Sequence, residues 1–344
     1  MTLPKESAAV FFTGKEQAEL RSIPLHEPGE GEILVKTTKT LISTGTETII
    51  YGGRYDVTSK WEKGKKYPSK VGYSHAGVVV ASGKNCKIFK EGDHVASSNH
   101  HQQYVVAAET DPSSGFRPIP AGVSDQDATW SILARIVQLG IRRAEHDLGE
   151  TVVIVGLGPL GQLAVQYVHL LGPRELIVLD PVQSRMEMAK KHGATHALAV
   201  SVDDALDAVK EITNGRMANA VYDMTGNEKV FASAQGLLRV LGKLVLIGDT
   251  GFPSGQHLTD AVIGRCLQII GSMGPQAPVE SNNWYYWSRA NMVDLFFHYL
   301  KDGRMCVSDL NTHSFSPSNP QAAYQKLLHD RANTMGCHFD WTEL

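Results

Sequence analysis

The chain has 344 residues, 42% of them hydrophobic, which is too long for a single ordinary core and suggests about two domains. Basic and acidic residues nearly balance, 33 against 36, so the formal net charge is -3 and neither nucleic acid nor an anionic membrane is an expected partner. The sequence opens without a signal-peptide pattern and has no apolar run near the ~20 residues that span a bilayer, so we expect a cytoplasmic protein. The four cysteines form no C-x-x-C pair, which argues against a disulfide framework and against a four-thiolate zinc site.

The first third of the chain has the pattern of short β-strands separated by glycine and proline turns. Apolar or β-branched runs predict strands at 8–12, 32–37 and 76–81, and two further strands are expected within 89–98 and 101–109. A broken run of lysines is interpreted as a solvated loop and comprises Lys60, Lys63, Lys65, Lys66 and Lys70. This part of the chain is therefore predicted to be a β-rich domain.

The pattern changes at about residue 124, where apolar residues adopt helical spacing behind Ser124, a candidate N-cap. From Thr151 onward, apolar strands alternate with glycine turns and helices. The predicted strands are 151–155, 176–179, 197–200, 220–222, 243–248 and 268–271, and the predicted helices are 159–171, 184–192 and 231–241. Such alternation is typical of a doubly wound α/β domain with a parallel sheet.

The tail resumes a different pattern, with helices at 291–301 and 320–329 around a short strand at 313–316. We expect it to return to the first domain, which would make the α/β domain an insertion. The predicted organisation is a β-rich domain over 1–130, a dinucleotide-binding domain over 131–274, and a returning segment over 275–344.

A dinucleotide fingerprint follows the strand that begins at Thr151. In "VVIVGLGPLG", Gly156, Gly158 and Gly161 have the G-x-G-x-x-G spacing, and Pro159 and Leu160 open the predicted helix between the last two. The first glycine permits a tight turn, the second lets the backbone approach a pyrophosphate, and the third lets helix and strand pack closely. The helix N-terminus offers unpaired N–H groups to the phosphates.

Asp180 ends the second predicted strand, 24 residues after Gly156. A carboxylate there accepts hydrogen bonds from the ribose hydroxyls and repels a 2′-phosphate, so NAD is favoured over NADP as cofactor. Arg185 lies nearby in sequence and would soften that preference. Later strand ends bring Thr225, Gly226 and Gly248 to the expected ribose and nicotinamide region, with Ser272 as a candidate for the carboxamide.

At this point the chain resembles the medium-chain dehydrogenase/reductase superfamily, the relatives of the zinc alcohol dehydrogenases. The motifs that carry the resemblance are "PGEGEILVKT" (28–37), "GYSHAGVVVASG" (72–83), "FKEGDHV" (89–95), "ETVVIVGLGPLGQLAVQ" (150–166), "KKHGATHAL" (190–198), "GKLVLIG" (242–248) and "QAAYQKLL" (321–328). The resemblance implies a GroES-like catalytic domain followed by a Rossmann domain. It also implies a small-molecule substrate and a homodimer or homotetramer.

The zinc positions implied by the resemblance are not kept. Ser43 stands where the family has its first ligand, a cysteine, and Tyr73 and Ser74 replace the His and Glu of the G-H-E motif. The third ligand falls at about Ile132, and the four-cysteine lobe expected between His94 and Tyr104 is missing. Because a catalytic zinc needs three protein ligands, the sequence predicts an enzyme without the family's metal.

The segment "STGTE" (43–47) is similar to a subgroup that includes bacteriochlorophyllide-type dehydrogenases and bi-domain sugar-linked oxidoreductases. That likeness implies a secondary alcohol or its ketone as the reacting group, with a bulky polyhydroxylated substrate as one option. Thr44, within the same segment, is a further candidate cofactor contact.

Hydride transfer at a carbon–oxygen centre without a metal still needs a group that manages the proton. We consider Glu47 and His101 the first candidates, followed by Ser43, Tyr51, Tyr73 and His75. A relocated metal site is the alternative reading of similar residues: Glu47, His75, His94, His100 and His101. Structural roles for the single histidines, for Glu47 and for Tyr73 stay open as well.

The aromatic segment 282–289, "NNWYYWSR", suits a sugar, a flat ring or a subunit interface, and plain packing is an equal alternative. The leading hypothesis is an NAD-dependent, zinc-independent dehydrogenase of a secondary alcohol, with a sugar or polyol derivative as one option. The alternatives are a quinone or enone reductase and a non-catalytic nucleotide-binding protein.

Overall fold

A computed structural model describes residues 3–64 and 66–344. The strands are β1 (Glu6–Gly14), β2 (Gln17–Pro24), β3 (Glu32–Leu41), β4 (Ser69–Lys70), β5 (His75–Ser82), β6 (His94–Ser97), β7 (Tyr104–Ala108), β8 (Arg117–Pro118), β9 (Thr151–Val155), β10 (Glu175–Leu179), β11 (His196–Leu198), β12 (Ala218–Asp223), β13 (Leu238–Leu246), β14 (Gln268–Gly271), β15 (Asn311–Phe315) and β16 (Gly336–Asp340). The α-helices are α1 (Thr46–Gly52), α2 (Lys60–Gly64), α3 (Asp125–Ala128), α4 (Ser131–Arg143), α5 (Pro159–Leu170), α6 (Gln183–Lys191), α7 (Leu206–Ile212), α8 (Glu228–Gly236), α9 (Ala261–Gly264), α10 (Arg289–Lys301) and α11 (Pro320–His329).

The chain forms two compact units. The described residues of the first unit fall within 1–53, 65–132 and 278–344, and those of the second unit fall within 54–64 and 133–277. The segment 54–64 thus groups with the second unit, whereas the sequence-based boundaries placed it in the first domain.

The first unit contains two sheets. The smaller has the strand order β2-β1-β4, and the larger has the order β15-β16-β3-β5-β6-β8, with β7 also paired to β3. The last segment of the chain joins this unit through β16, which pairs antiparallel with β3. One apolar cluster of this unit brings the C-terminal side chains Tyr324, Phe339 and Trp341 against Phe12 and Tyr51.

The second unit is built on a six-stranded parallel sheet with the order β11-β10-β9-β12-β13-β14. All five residues of β9 are buried, as expected for a central strand covered on both faces. The strand order reverses between β9 and β12, and ligands of such sheets bind outside the carboxyl ends of the strands at that point. The doubly wound α/β architecture predicted from the sequence is confirmed.

One local prediction is wrong, one helix was not predicted, and the segment interpreted as a lysine-rich loop is a loop only in part. The helix predicted over 231–241 ends at Gly236, and β13 begins at Leu238, because this segment pairs with β12 through an irregularity between Ala218 and Ala220. The segment between β3 and β5 contains the helix α1, which the sequence pattern missed because glycines flank it on both sides. Of the lysines read as a loop, Lys60 and Lys63 lie on α2 and Lys70 lies in β4, while Lys65 lies outside the described residues.

Within residues 3–64 and 66–344, no helix is both long enough and apolar enough to cross a membrane. All four cysteines carry free thiols, of which Cys337 is buried and Cys266 and Cys306 are exposed.

Candidate active site

The glycine fingerprint forms a tight turn between β9 and α5. Gly156 has a φ of 89°, which disfavours other residues, and a Cβ there would lie 2.7 Å from Thr225 Cγ2. A Cβ on Gly161 would lie 2.0 Å from the Gly156 carbonyl oxygen, so this glycine is what lets the helix pack against the turn. These two glycines therefore have the roles that the motif predicts for them inside the fold.

Gly158 differs from its two neighbours in the motif because a Cβ on it would meet no described atom within 4 Å. It is the N-cap of α5, with Pro159 at the first helical position and Leu160 behind it, so the helix begins at this open position, and the N–H groups of its first turn have no partner within the helix. An open backbone cradle at a helix N-terminus suits a pyrophosphate. The residues present thus fit a dinucleotide.

Asp180 follows β10 directly and is buried beside the turn. Its Oδ2 accepts a hydrogen bond from Leu157 N–H at 2.8 Å, and its Oδ1 accepts one from Val182 N–H at 2.9 Å. Arg185 Nη1 lies 3.6 Å from Asp180 Oδ2, so the structure brings these two predicted residues together. The carboxylate is held rigidly by the backbone and keeps lone pairs free for further donors such as hydroxyl groups.

The ends of β12 and β13 meet beside the glycine turn. Asp223 Oδ1 accepts hydrogen bonds from Thr225 N–H at 2.8 Å and from Thr225 Oγ1–H at 2.6 Å, and burial raises the pKa of this carboxyl group. A Cβ on Gly226 would lie 2.4 Å from the Asp249 carbonyl oxygen, and a Cβ on Gly248 would lie 2.5 Å from Gly226 N. The predicted contacts Thr225, Gly226 and Gly248 therefore form one close-packed group.

Ser272 follows β14, and its Oγ is buried without a hydrogen-bond partner among residues 3–64 and 66–344. An unsatisfied buried hydroxyl is costly unless a ligand or water completes it. This observation fits the contact to a carboxamide that the sequence predicted.

In the first unit, the hydroxyl groups of Ser43 and Tyr73 form a short hydrogen bond. Ser43 lies between the end of β3 and the start of α1 and is buried, whereas Tyr73 precedes β5 and is partly exposed. Tyr73 Oη also lies 3.4 Å from Thr46 Oγ1. A phenol that reaches solvent and is backed by a second hydroxyl can give or take a proton at a substrate oxygen.

This pair does not fit a catalytic zinc. Zinc takes thiolate, imidazole or carboxylate ligands, whereas Ser43 and Tyr73 offer neutral hydroxyl groups to each other and Ile132 is a buried apolar residue of α4. In the described ranges 3–64 and 66–344, no three His, Cys, Asp or Glu side chains are grouped so that they could hold a metal ion. Only the six residues 98–103 connect β6 to β7, where the resemblance led us to look for a four-cysteine lobe.

Glu47 and His101, the first candidates for proton transfer, lie together but are enclosed. His101 Nε2 is 3.0 Å from Glu47 Oε2, while the two residues expose only 0% and 1% of their surfaces. Neither side chain has accessible surface with which to meet a substrate, and the role expected for both in proton transfer stays a prediction. Glu47 Oε1 instead accepts a hydrogen bond from Ser43 N–H at 2.7 Å, which ties it to the hydroxyl pair.

Tyr51 and His75 are enclosed in the same way. Tyr51 Oη donates to the Glu16 carbonyl oxygen at 3.0 Å and accepts from Gln325 Nε2 at 2.8 Å. The two ring nitrogens of His75 bond to Thr37 Oγ1 and Ser97 Oγ, and burial lowers its pKa to about 3. Both side chains are thus better explained as parts of the core than as acids or bases.

The remaining candidates are dispersed. His94 Nδ1 pairs with Asp125 Oδ1 at 2.7 Å, and His100 Nδ1 bonds to the Gly72 carbonyl oxygen at 2.8 Å. Thr44 is buried, and its carbonyl oxygen accepts a hydrogen bond from Thr48 Oγ1 at 2.5 Å, so its contact with a cofactor stays a prediction. The aromatic segment 282–289 does not pack as a core, since Trp284 is 97% exposed.

Sequence reasoning missed Tyr324. This buried residue of α11 donates from its hydroxyl to Glu47 Oε2 at 2.6 Å, across 277 positions of the sequence. The only signal was its place in the motif "QAAYQKLL", which reads as an ordinary amphipathic helix.

Two family models match the chain, and together they span more than half of it. Residues 29–119 match the alcohol dehydrogenase GroES-like domain, and residues 159–289 match the zinc-binding dehydrogenase model. The chain belongs to the zinc-type alcohol dehydrogenase family, the medium-chain dehydrogenases. It is therefore an oxidoreductase of the alcohol dehydrogenase type, with a GroES-like domain and a Rossmann domain as predicted.

Individual relatives agree with this family. The chain is 26% identical to L-threonine 3-dehydrogenase of Chromobacterium violaceum over 90% of this chain and 93% of that protein. It is 28% identical to sorbitol dehydrogenase of Bacillus subtilis over 72% of this chain and 76% of that protein. An Escherichia coli oxidoreductase of unknown specificity has the same fold, with a TM-score of 0.82, 18% identity, and coverage of 97% and 99% of the two chains.

Proposed function

We propose that this member of the family is an NAD(H)-dependent, zinc-independent oxidoreductase that interconverts a secondary alcohol and its ketone. The observation that carries the proposal is the hydrogen bond between the hydroxyls of Ser43 and Tyr73, at the two positions where the family resemblance puts zinc ligands. A proton donor takes the place of a Lewis acid there. The alcohol dehydrogenase character of the family supports the reacting group.

NAD is the cofactor that we propose, and when bound it supplies or accepts the hydride. Gly158 and the N-terminus of α5 would hold its pyrophosphate, and Thr225, Gly226, Gly248 and Ser272 would line its nicotinamide half. The buried carboxylate of Asp180 supports a preference for NAD, because it would repel the 2′-phosphate of NADP. The ion pair with Arg185 reduces but does not remove that negative charge.

Proton transfer is assigned to Tyr73. In the reducing direction, its hydroxyl donates a proton to the carbonyl oxygen as negative charge develops there, and Ser43 stabilises the resulting phenolate by hydrogen bonding. In the oxidising direction, the phenolate accepts the proton of the alcohol. Glu47 stays outside this relay because its side chain is enclosed.

A secondary alcohol on a polyhydroxylated substrate is the substrate class that we propose. L-Threonine and sorbitol, the substrates in the names of two relatives, both carry secondary hydroxyl groups. The exposed aromatic segment 282–289 offers ring faces that stack on a sugar, although it equally suits an interface in a homodimer or homotetramer.

The test is a panel of sorbitol, L-threonine, myo-inositol and 2-butanol, each assayed with NAD+ and with NADP+ by formation of the reduced nicotinamide. Each alcohol that reacts is then supplied with deuterium at its carbinol carbon. We expect oxidation of at least one polyhydroxylated member with NAD+, and transfer of the label to the nicotinamide.

Three other results of these assays would indicate a different function or cofactor preference. Reduction of enones with NADPH, without oxidation of any alcohol, would replace the proposal by an enone reductase. Binding of NADH without turnover of alcohols, ketones or enones would favour a nucleotide-binding protein that has lost its activity. Equal use of NADP+ would refute the assigned role of Asp180 but not the reaction.

A further inference from the structure

The carboxylate of Glu47 is enclosed, yet it is fully hydrogen-bonded. Its Oε1 accepts from Ser43 N–H at 2.7 Å, and its Oε2 accepts from Tyr324 Oη–H at 2.6 Å and from His101 Nε2–H at 3.0 Å. Burial of an ionised carboxylate is tolerated only when such donors replace its water. We call Glu47, His101 and Tyr324 the Glu47 network.

The protons of this network can be assigned from its contacts. His101 Nδ1 is buried and has no hydrogen-bond partner among the described residues, so a hydrogen on Nε2, directed at Glu47, leaves no buried donor unsatisfied. Burial, and then the charge of Glu47, raise the pKa of Tyr324 well above its usual value, so that hydroxyl stays a donor. The donors of His101 and Tyr324 therefore both point at the carboxylate of Glu47.

One arm of the network holds Ser43. The Ser43 carbonyl oxygen accepts a hydrogen bond from Glu47 N–H at 3.0 Å, just before α1, while Ser43 N–H is bonded to the Glu47 side chain. Residue 43 is thus fastened to residue 47 through both of its backbone polar groups. Its hydroxyl then has little freedom apart from rotation of its own side chain.

The other arm holds the residue before Tyr73. Gly72 has a φ of 90°, and a Cβ on it would lie 2.5 Å from the Cδ2 atom of His101, so the backbone runs directly over the imidazole. His101 N–H also donates to the Val71 carbonyl oxygen at 2.8 Å. The single imidazole of His101 therefore supports the turn that presents Tyr73 and, through Glu47, the turn that presents Ser43.

The third member comes from the C-terminal part of the chain. The ring of Tyr324 packs edge-on against Phe12, with centroids 4.7 Å apart, and is stacked on Tyr51 at 5.3 Å. Such a ring keeps its place when its hydroxyl is removed. Tyr324→Phe is therefore a substitution that cuts one hydrogen bond and spares the packing.

We propose that the Glu47 network positions the two reacting hydroxyls without touching the substrate. The proposal rests on the proposed function, since it assigns the proton to Tyr73. It makes Tyr324, which lies far away in the sequence, a positioning residue of the reaction site. Misplacement of a reacting group by about 1 Å costs up to ~10²-fold in rate, so a weakened network is visible in kcat.

The experiment compares Tyr324→Phe with Tyr222→Phe, a matched control in the second unit. Tyr222 is equally buried, and its hydroxyl bonds to His146 Nε2 at 2.5 Å rather than to any member of the Glu47 network. Backbone amide hydrogen exchange of the peptide that contains Ser43 is measured first, because it needs no substrate. We expect ~10-fold faster exchange in Tyr324→Phe and no change in Tyr222→Phe.

The second readout is turnover of the panel alcohol that the wild-type protein oxidises fastest. Tyr324→Phe should lower kcat by ~10-fold with KM and the Kd of NADH unchanged, while Tyr222→Phe keeps the wild-type kcat. Glu47→Gln should cost a similar factor, since the amide retains an acceptor for Ser43 N–H. A loss of ~10²- to 10⁴-fold in Glu47→Gln, with one limb of the pH–rate profile gone, would make Glu47 the acid or base and overturn the proposal.

Wild-type exchange together with wild-type kcat in Tyr324→Phe would also overturn it. If the wild-type protein oxidises no alcohol at all, the proposed function fails, while the exchange measurement still decides whether the network holds Ser43.

Discussion

The glycine turn of the second unit and the hydroxyl pair of the first unit differ in what carries their chemistry. The turn depends on its backbone. Neighbouring atoms leave no room for a Cβ on Gly156 or Gly161, whereas the space beside Gly158 is open. The chemistry of the pair depends on the side chains of Ser43 and Tyr73, which lie in the GroES-like domain that the family shares. Substitution of a glycine that the turn needs would disrupt the turn. Substitution of a single side chain at the hydroxyl pair, by contrast, can change the chemistry there without disrupting the backbone.

This difference explains why the glycine turn could be predicted from the sequence in more detail than the surroundings of the hydroxyl pair. The fingerprint predicted the turn, β9, α5 and the neighbourhood of Asp180, because glycine spacing and apolar runs reflect the backbone directly. The sequence also identified Ser43 and Tyr73 as replacements, but it ranked Glu47 and His101 above them. Burial and partners depend on packing between distant segments, and no local pattern reveals that Tyr324 reaches Glu47.

The largest effect is expected from Tyr73→Phe, which keeps the ring and removes the hydroxyl. We predict that kcat falls by ~10²- to 10⁴-fold, the usual contribution of a general acid or base, because only the proton transfer is lost. The Kd of NADH, measured by fluorescence titration, should not change, which makes the two regions separable. A kcat within about threefold of wild type would show that Tyr73 does not carry the proton.

Two matched substitutions, Gly158→Ala and Gly161→Ala, separate the role of the glycine turn in cofactor binding from its role in stability. A methyl group on Gly158 meets open space in the described protein, so we predict an unchanged Tm and a Kd of NADH that rises ~10-fold or more. A methyl group on Gly161 meets the Gly156 carbonyl oxygen at 2.0 Å, so we predict a fall in Tm of several degrees as well. Equal thermal denaturation curves for the two variants would refute this division.

Cofactor choice gives a smaller effect in the same region. Asp180→Asn removes the charge that opposes a 2′-phosphate, and we predict that the ratio of kcat/KM for NAD+ over NADP+ falls by about tenfold, equivalent to ~1.4 kcal/mol. Asp207→Asn, an exposed carboxylate on α7, serves as the control and should leave the ratio unchanged. A ratio that stays at the wild-type value in Asp180→Asn would mean that other groups select the cofactor.

A pH dependence of stability is expected from His75 and His338, two enclosed histidines of the first unit. Burial lowers the pKa of His75 and of His338 to about 3, whereas the unfolded chain binds these protons at about pH 6.5. Between those values the unfolded state holds more protons, so the free energy of unfolding decreases as the pH falls, by up to ~1.4 kcal/mol per pH unit for each ring.

Urea denaturation at a series of pH values from 7 to about 5 measures this slope. His75→Gln lowers stability overall, and we predict that it also makes the slope shallower, because one ring with a strongly lowered pKa is gone. An identical slope in the variant would contradict the assignment of His75 as a buried neutral ring.

We propose that the hydroxyl pair of Ser43 and Tyr73 takes the place of zinc, and metal content measured on the same sample as turnover tests this proposal. Purified protein is analysed for zinc by mass spectrometry, and its best panel alcohol is assayed before and after incubation with a strong chelator. We expect zinc far below stoichiometric amounts and a rate of NAD+ reduction that the chelator does not change. Stoichiometric zinc, with activity that is lost to the chelator and restored by added zinc, would contradict it.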